Sequence, residues 1–286
     1  MKIRITGING YIGSMIASEL QNSGHQVNGI NRKLLYGEIF TLSEEIKGTD
    51  VIINLAGAPI VQRWTQKNKN EIYNSRVETT TNLVAAINQL TPDRRSKKFI
   101  SASAIGLYKA GLSHNEESTR FDDGFLGTVV ENWEKPLKSL PAGVQKVVLR
   151  IGLVIGKNAG TISKQLLPFK LGLGAKIGNG KQPFPFIHDK DLVNAFVWAA
   201  EEYENDNIFN MVAPENISNE EFTAAFARRL NRPAFLSVPE FILKLALGEA
   251  AGMLAQSPEV LSEKIQEAGF QFTYPDIESA LKEILA

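Results

Sequence analysis

Hydrophobic positions along this 286-residue chain switch repeatedly between the period of a strand and the period of a helix. Lys2-Ile3-Arg4-Ile5-Thr6 reads as a buried strand, and Ile12, Ile16 and Leu20 then put one apolar face on a helix from Tyr11 to Ser23. Gln26 to Ile30 reads as a second strand. Val51 to Leu55 is an almost unbroken apolar run between Gly48 and Gly57, which suits a strand covered on both faces. A long helix is expected next, carrying Ile72, Arg76, Thr80, Leu83 and Ile87 on one side. Lys98 to Ser101 and Val147 to Ile151 are further strands, with a helix near Val129 to Leu140 between them. This alternation predicts an α/β fold: a Rossmann-type, doubly wound parallel sheet.

Beyond Ile155 the rhythm changes. Leu171-Gly172-Leu173-Gly174, Ile177-Gly178-Asn179-Gly180, Pro183 and Pro185 predict a loop-rich region facing a substrate. Asp189 to Glu202 then reads as a helix and Asn207 to Val212 as a strand. The last seventy or so residues read as mainly helical, with Ser218 and Glu221 spaced for a capping box. The expected organisation is a dinucleotide-binding domain over residues 1–155, to which 189–213 return. A small, mainly helical substrate-binding domain would take 156–188 and 214–286.

Composition removes several classes of chemistry. The chain has no Cys, which excludes disulfide scaffolds, zinc–thiolate sites and cysteine nucleophiles. His25, His114 and His188 form no paired ligand motif, and no Gly-Lys-Ser/Thr sequence exists for a Walker loop. Lys+Arg 31 balance Asp+Glu 31, so bulk charge gives no reason to expect nucleic acid as a partner, while near-zero net charge favours a homodimer. The basic cluster Arg94 to Lys98 is expected to coat a loop. Phe241 to Ala255 is apolar but short, and Lys244 and Glu249 interrupt it, so no membrane span is expected. The strand pattern starts at Lys2 and leaves no room for a signal peptide, so a cytoplasmic location is the expectation.

Between the first strand and the first helix lies Thr6-Gly7-Ile8-Asn9-Gly10-Tyr11-Ile12-Gly13. Gly7, Gly10 and Gly13 stand where a turn needs positive φ, where backbone must approach a pyrophosphate, and where helix packs on strand. With Asn9, Tyr11 and Ile12 they form the expected phosphate cradle, because a helix N-terminus offers free N–H groups and partial positive charge. After the second strand come Asn31 and Arg32, with no acid until Glu38. A carboxylate there would select NAD; a guanidinium suits a 2′-phosphate, so NADP is favoured over NAD. Leu55, Ala56 and Gly57 at one strand end, and Ser101 and Ala102 at another, complete the expected cofactor contacts. Asn54 either ties strands together or touches the cofactor.

Together these motifs resemble the extended short-chain dehydrogenase/reductase superfamily, and most closely an atypical epimerase-family branch with a short C-terminal domain. The resemblance is carried by Asn54-Leu55-Ala56-Gly57, Arg63-Trp64-Thr65, Asn74-Ser75-Arg76-Val77, Ser101-Ala102-Ser103-Ala104-Ile105-Gly106 and Leu149-Arg150-Ile151-Gly152. It continues through Gly178-Asn179-Gly180, Ile187-His188-Asp189-Lys190-Asp191-Leu192, Asn210-Met211-Val212-Ala213-Pro214, Leu247-Gly248-Glu249 and Gly269-Phe270-Gln271-Phe272. It implies an NAD(P)-dependent epimerase or reductase using Ser, Tyr and Lys, the last two in a Tyr-xxx-Lys unit that moves a proton while hydride transfers.

Ser103 fits the Ser position. The Tyr-xxx-Lys unit is missing: aligning Glu134 with the acid that often follows it puts Leu126 and Val130 in its place. Tyr108 and His188 are the candidate replacements, although Tyr108 also reads as a surface-loop residue and His188 as part of a helix start. His25 and His114 are expected at the surface. Trp64 is a substrate wall or a packing residue, and Arg150 holds an anion or pairs with a carboxylate. Lys181 and Gln182 could reach a phosphate or sugar of a small-molecule substrate, while Phe184 and Phe186 argue for a smaller, less polar ligand. Two functions stay open: an NADP-dependent oxidoreductase or epimerase for a small hydroxyl- or carbonyl-bearing molecule, and a weakly active or inactive NADP(H)-binding sensor.

Overall fold

The computed structural model describes residues 1–286. The first half of the chain lays down β1 (Lys2–Thr6), α1 (Tyr11–Asn22), β2 (Gln26–Ile30), α2 (Arg32–Leu35), α3 (Ile39–Ile46) and β3 (Val51–Asn54). Next come α4 (Gln66–Asn74), α5 (Val77–Gln89), β4 (Lys98–Ala104), β5 (Ser113–His114), α6 (Phe125–Glu134) and β6 (Gln145–Ile151). The second half adds β7 (Leu153–Ile155), α7 (Gly160–Lys170), β8 (Ala175–Ile177), β9 (Phe186–His188), α8 (Asp189–Glu201) and β10 (Asn207–Met211). It ends with α9 (Asn219–Arg229), β11 (Leu236–Val238), α10 (Glu240–Leu247), α11 (Ala251–Ala255), β12 (Glu259–Val260), α12 (Glu263–Glu267) and α13 (Ile277–Ile284).

Six strands make one parallel sheet in the order β10-β6-β4-β3-β1-β2. Helices cover both faces, which explains why the inner strands read as continuous apolar runs. Ile3, Ile5, Ile53 and Val147 pack in one cluster with Ile16 and Leu20 of α1 and Phe196 of α8. Ile52, Phe99 and Val148 point the other way, into a cluster with Leu42 of α3 and Leu83 and Ile87 of α5. A third core, built on Phe169, Phe186, Phe222, Phe226 and Leu281, lies outside the sheet and unites α7, α9 and α13. No helix is long and apolar enough to cross a membrane.

Several local readings change. The long helix expected around Ile72 to Ile87 is two helices, broken at Ser75 and Arg76. Ser75 Oγ donates to the Ile72 carbonyl and accepts from Ala58 N, while the Arg76 guanidinium donates to the carbonyls of Ile72 and Ala58. Bonds to the loop after β3 thus tie the helix junction down. Lys98 does not coat a loop: it is buried, and its ammonium donates to the carbonyls of Ala199, Ala200 and Tyr203. Phe184 and Phe186 are core residues: Phe184 stacks on Phe222 at 4.1 Å inside the third core, and Phe186 packs there too. The capping box at Ser218 and Glu221 forms with both of its hydrogen bonds.

Candidate functional site

The loop between β1 and α1 is shaped by its glycines. Gly7 adopts φ +69°, and a Cβ there would sit 3.0 Å from the Leu55 carbonyl oxygen. A Cβ on Gly13 would lie 2.2 Å from the Gly7 carbonyl oxygen, so only glycine lets α1 start this close to the strand. Gly10 is the N-cap and supplies no side chain, which leaves the first N–H groups of α1 for another acceptor. Thr6 holds the facing wall: its Oγ1 accepts from Leu55 N and Ala56 N, both at 2.9 Å, and donates to Asn54 Oδ1 at 2.9 Å. These are the features of an anion cradle, and a dinucleotide pyrophosphate fits its chemistry. Asn9 is exposed beside it. The Tyr11 hydroxyl donates to Asp189 Oδ2 at the start of α8; burial and that carboxylate push the phenol up.

From Gly7 a cleft of about 240 Å³ runs past the C-terminal ends of β1, β2 and β3, lined among others by Arg32, Tyr36, Gly57, Glu71 and Ser75. Asn31 caps α2, its Oδ1 accepting from Lys33 N at 2.9 Å, and so fixes where Arg32 leaves the chain. The Arg32 guanidinium is 72% exposed, and its nearest carboxylate is Glu71 at 3.7 Å. Sequence inspection found no acid near Arg32; the tertiary structure brings one in from α4. Ser101 and Ala102 on β4 are both buried, and Ser101 Oγ donates to the Ala102 carbonyl.

Ser103, Arg150 and Asn210 are register neighbours on β4, β6 and β10. Ser103 Oγ donates to Glu134 Oε1 at 2.6 Å, and Arg150 grips both oxygens of that carboxylate, each at 2.8 Å. Arg150 also donates to the Tyr108 hydroxyl at 2.9 Å, and Tyr108 donates to Asn210 Oδ1 at 2.8 Å. A continuous polar chain therefore crosses the C-terminal end of the sheet where strands of this fold present their ligands. Leu126 is packed beside Gly106, and Val130 is buried, so α6 offers no proton donor at those two places.

Of the other predicted residues, Tyr108 and His114 depart from expectation, while Arg150 and Trp64 each take one of the two places the sequence left open. Tyr108 is not a loop residue but is 2% exposed, stacked on His114 and bonded at its hydroxyl. Burial pushes its phenol up, and Arg150 and Asn210 offset this only in part. His188 is fully buried: its Nδ1 accepts from Lys190 N at 3.1 Å to cap α8, so its Nε2 faces Glu283 as donor at 3.0 Å. With both nitrogens engaged it has no open pocket to line. His114 is buried rather than on the surface, while His25 pairs with Glu201 at 2.8 Å. Arg150 pairs with a carboxylate and leaves no free fork for an anion. Trp64 packs edge-on against Phe125 at 5.1 Å with its Nε1 donating to the Ile60 carbonyl. Lys181 lines a separate pocket of about 160 Å³ with Glu221 and Glu259, and Gln182 donates to the carbonyls of Ile177 and Leu254. Sequence reasoning missed Glu71 and, although it named Thr6 and Glu134 as members of motifs, it missed their hydrogen-bonding roles, because only strand register and helix packing bring the partners together.

The fold and the glycine cradle define an NAD(P)-type Rossmann protein. The NAD dependent epimerase/dehydratase family matches residues 3–126, and a domain of unknown function (DUF1731) matches residues 238–284. Over its whole length the chain is 34% identical to epimerase family protein SDR39U1 of Mus musculus, which it covers completely. It is 33% identical to epimerase family protein YfhF of Bacillus subtilis, with all of this chain and 98% of that protein covered. The crystal structure of human epimerase family protein SDR39U1 (isoform 2) with NADPH superposes with a TM-score of 0.91 at 31% identity, covering 99% of each chain. This chain belongs to that epimerase family, an atypical branch of the short-chain dehydrogenases.

Proposed function

We propose that the chain is an NADP-dependent oxidoreductase or epimerase acting on a small hydroxyl-bearing molecule. The observation that carries this reading is the hydrogen bond from Ser103 Oγ to Glu134 Oε1 at 2.6 Å, at the C-terminal end of β4. The serine proton is committed to Glu134, so Ser103 presents lone pairs. The group it orients is then a donor, a substrate hydroxyl rather than a carbonyl oxygen. A proton leaving that hydroxyl has a route through Ser103 to Glu134 Oε1, with Arg150 holding the carboxylate in place. The cradle of Gly7, Gly10 and Gly13 suits the pyrophosphate, and Arg32 suits a 2′-phosphate. The bound dinucleotide would supply hydride transfer at its nicotinamide ring. The relative described with NADPH supports the choice of cofactor.

A second reading, an NADP(H)-binding sensor with little turnover, is favoured by a specific fact: Ser103 is 3% exposed and Leu126 and Val130 replace the usual acid–base pair. Calorimetry with NADPH, followed by NADP⁺ turnover against an alcohol library, separates the two. Turnover that falls roughly 10²-fold or more in Ser103→Ala supports the enzyme. Tight binding with no turnover of any compound supports the sensor.

A further inference from the structure

Eight of the fourteen large hydrophobic side chains that the chain leaves exposed fall in two short segments, residues 167–173 and 235–245. The second segment runs into α10, in which six of eight residues are apolar and none is buried. A helix apolar on most of its sides belongs in an interior, and this one lies outside. Phe241 and Leu245 project from it 68% and 79% exposed, with Ile242 beside them. Glu240 and Lys244, one turn apart, form its only polar strip. Just before α10, Phe235 is 91% exposed, and β11 has no strand partner on the edge away from β8. The end of α7 is held at the same place. Arg232 Nε donates to the Lys170 carbonyl at 2.8 Å, a Cβ on Gly172 would lie 3.7 Å from Pro233, and Leu236 is the register partner of Ala175. Leu167, Leu171 and Leu173 thereby extend the apolar surface beyond β11.

At ordinary side-chain sizes these eight groups expose on the order of 900 Å², more than a lone soluble protein commonly leaves in one patch. One partner's share of a standard interface is about 800 Å², so two copies of this patch suffice to cover each other. We infer that the patch is the face of a two-fold homodimer in which α10 packs antiparallel on α10 of a second copy. Charge fits this occupant. Lys+Arg 31 balance Asp+Glu 31, so two copies meet without net repulsion. About a two-fold axis like flanks of the two helices meet in opposite order, which sets Glu240 of each copy opposite Lys244 of the other. Phe241 and Leu245 of the two copies interleave between these pairs. An anionic membrane surface would ask for an unbroken basic border, and Glu240 and Glu249 interrupt it at the two ends of α10.

Sedimentation velocity of the full chain at micromolar concentration should give twice the chain mass of 31.5 kDa. Phe241→Glu and Leu245→Glu are each expected to raise the dimer dissociation constant about a hundredfold or more, with the circular dichroism of the chain unchanged. Lys244→Glu should weaken the dimer several-fold, and adding Glu240→Lys should restore it, since the exchanged charges pair again. A double variant no better than Lys244→Glu overturns the antiparallel arrangement. Wild type that stays monomeric up to about 100 µM overturns the inference, as does a dimer that Leu245→Glu leaves intact. Monomers that sediment with phosphatidylglycerol–phosphatidylcholine vesicles, and lose this in Leu245→Glu, overturn it in favour of a membrane surface. Because the chain has no Cys, Ile242→Cys decides the matter should the Glu variants misfold. Oxidation that joins two Ile242→Cys chains, while Phe40→Cys on the exposed side of α3 stays single, supports the dimer; Ile242→Cys chains that remain separate overturn it.

Discussion

Ser103 and Arg150 lie opposite each other in the β4–β6 register and meet through one atom, Glu134 Oε1, which accepts from Ser103 at 2.6 Å and from Arg150 at 2.8 Å. The ion pair is well shielded, with side-chain exposures of 6% and 16%. Removing one member of such a pair leaves the other charged and desolvated. Glu134→Ala is therefore expected to cost about 3–5 kcal/mol in urea unfolding, and Glu134→Ala combined with Arg150→Met to cost less than the sum of the single changes. Additive losses would mean the pair is not coupled.

The glycine cradle makes a sharper prediction. Gly13→Ala places a methyl 2.2 Å from the Gly7 carbonyl oxygen, a contact that backbone must move to relieve. NADPH affinity is expected to fall at least about tenfold in fluorescence titration, because the N–H groups of α1 shift away from the phosphates. An unchanged affinity would separate this loop from cofactor binding.

Arg32 and Glu71 compete for the same end of the cleft. Arg32→Ala should weaken NADPH by about tenfold or more while changing NADH little, since only the former carries a 2′-phosphate. Glu71→Gln should act oppositely and tighten NADPH a few-fold, because it removes a carboxylate 3.7 Å from the guanidinium. Equal losses of both cofactors in Arg32→Ala would refute the 2′-phosphate assignment.

Tyr11 and Tyr108 both hold their phenol protons more tightly than free tyrosine, the first through burial and Asp189, the second through burial. A raised folded value means that stability from these groups is complete below the unfolded value near 10 and is lost as pH climbs through the folded one. In an ultraviolet titration of the native chain, Tyr11→Phe and Tyr108→Phe should each leave the phenolate signal that develops around pH 10 unchanged. A loss of one tyrosine's share there in either variant would show an ordinary phenol.

The order of strands and helices was legible in the sequence because each element advertises itself locally. Ile12, Ile16 and Leu20 can bury one helix face only at helical spacing, and Gly7 and Gly13 stand where any side chain would collide. Strand adjacency and helix packing were not local properties. Nothing near Ser103 in the chain announces Glu134, nothing near Arg32 announces Glu71, and the apparent helical periodicity through Arg76 concealed a break held by bonds to Ala58. The sequence by itself thus determined a glycine-lined Rossmann sheet and the absence of the Tyr-xxx-Lys unit. Only the tertiary structure decided that Tyr108, His188 and Arg150 are spent on internal partners, because hydrogen-bond satisfaction of buried polar groups depends on which strands become neighbours.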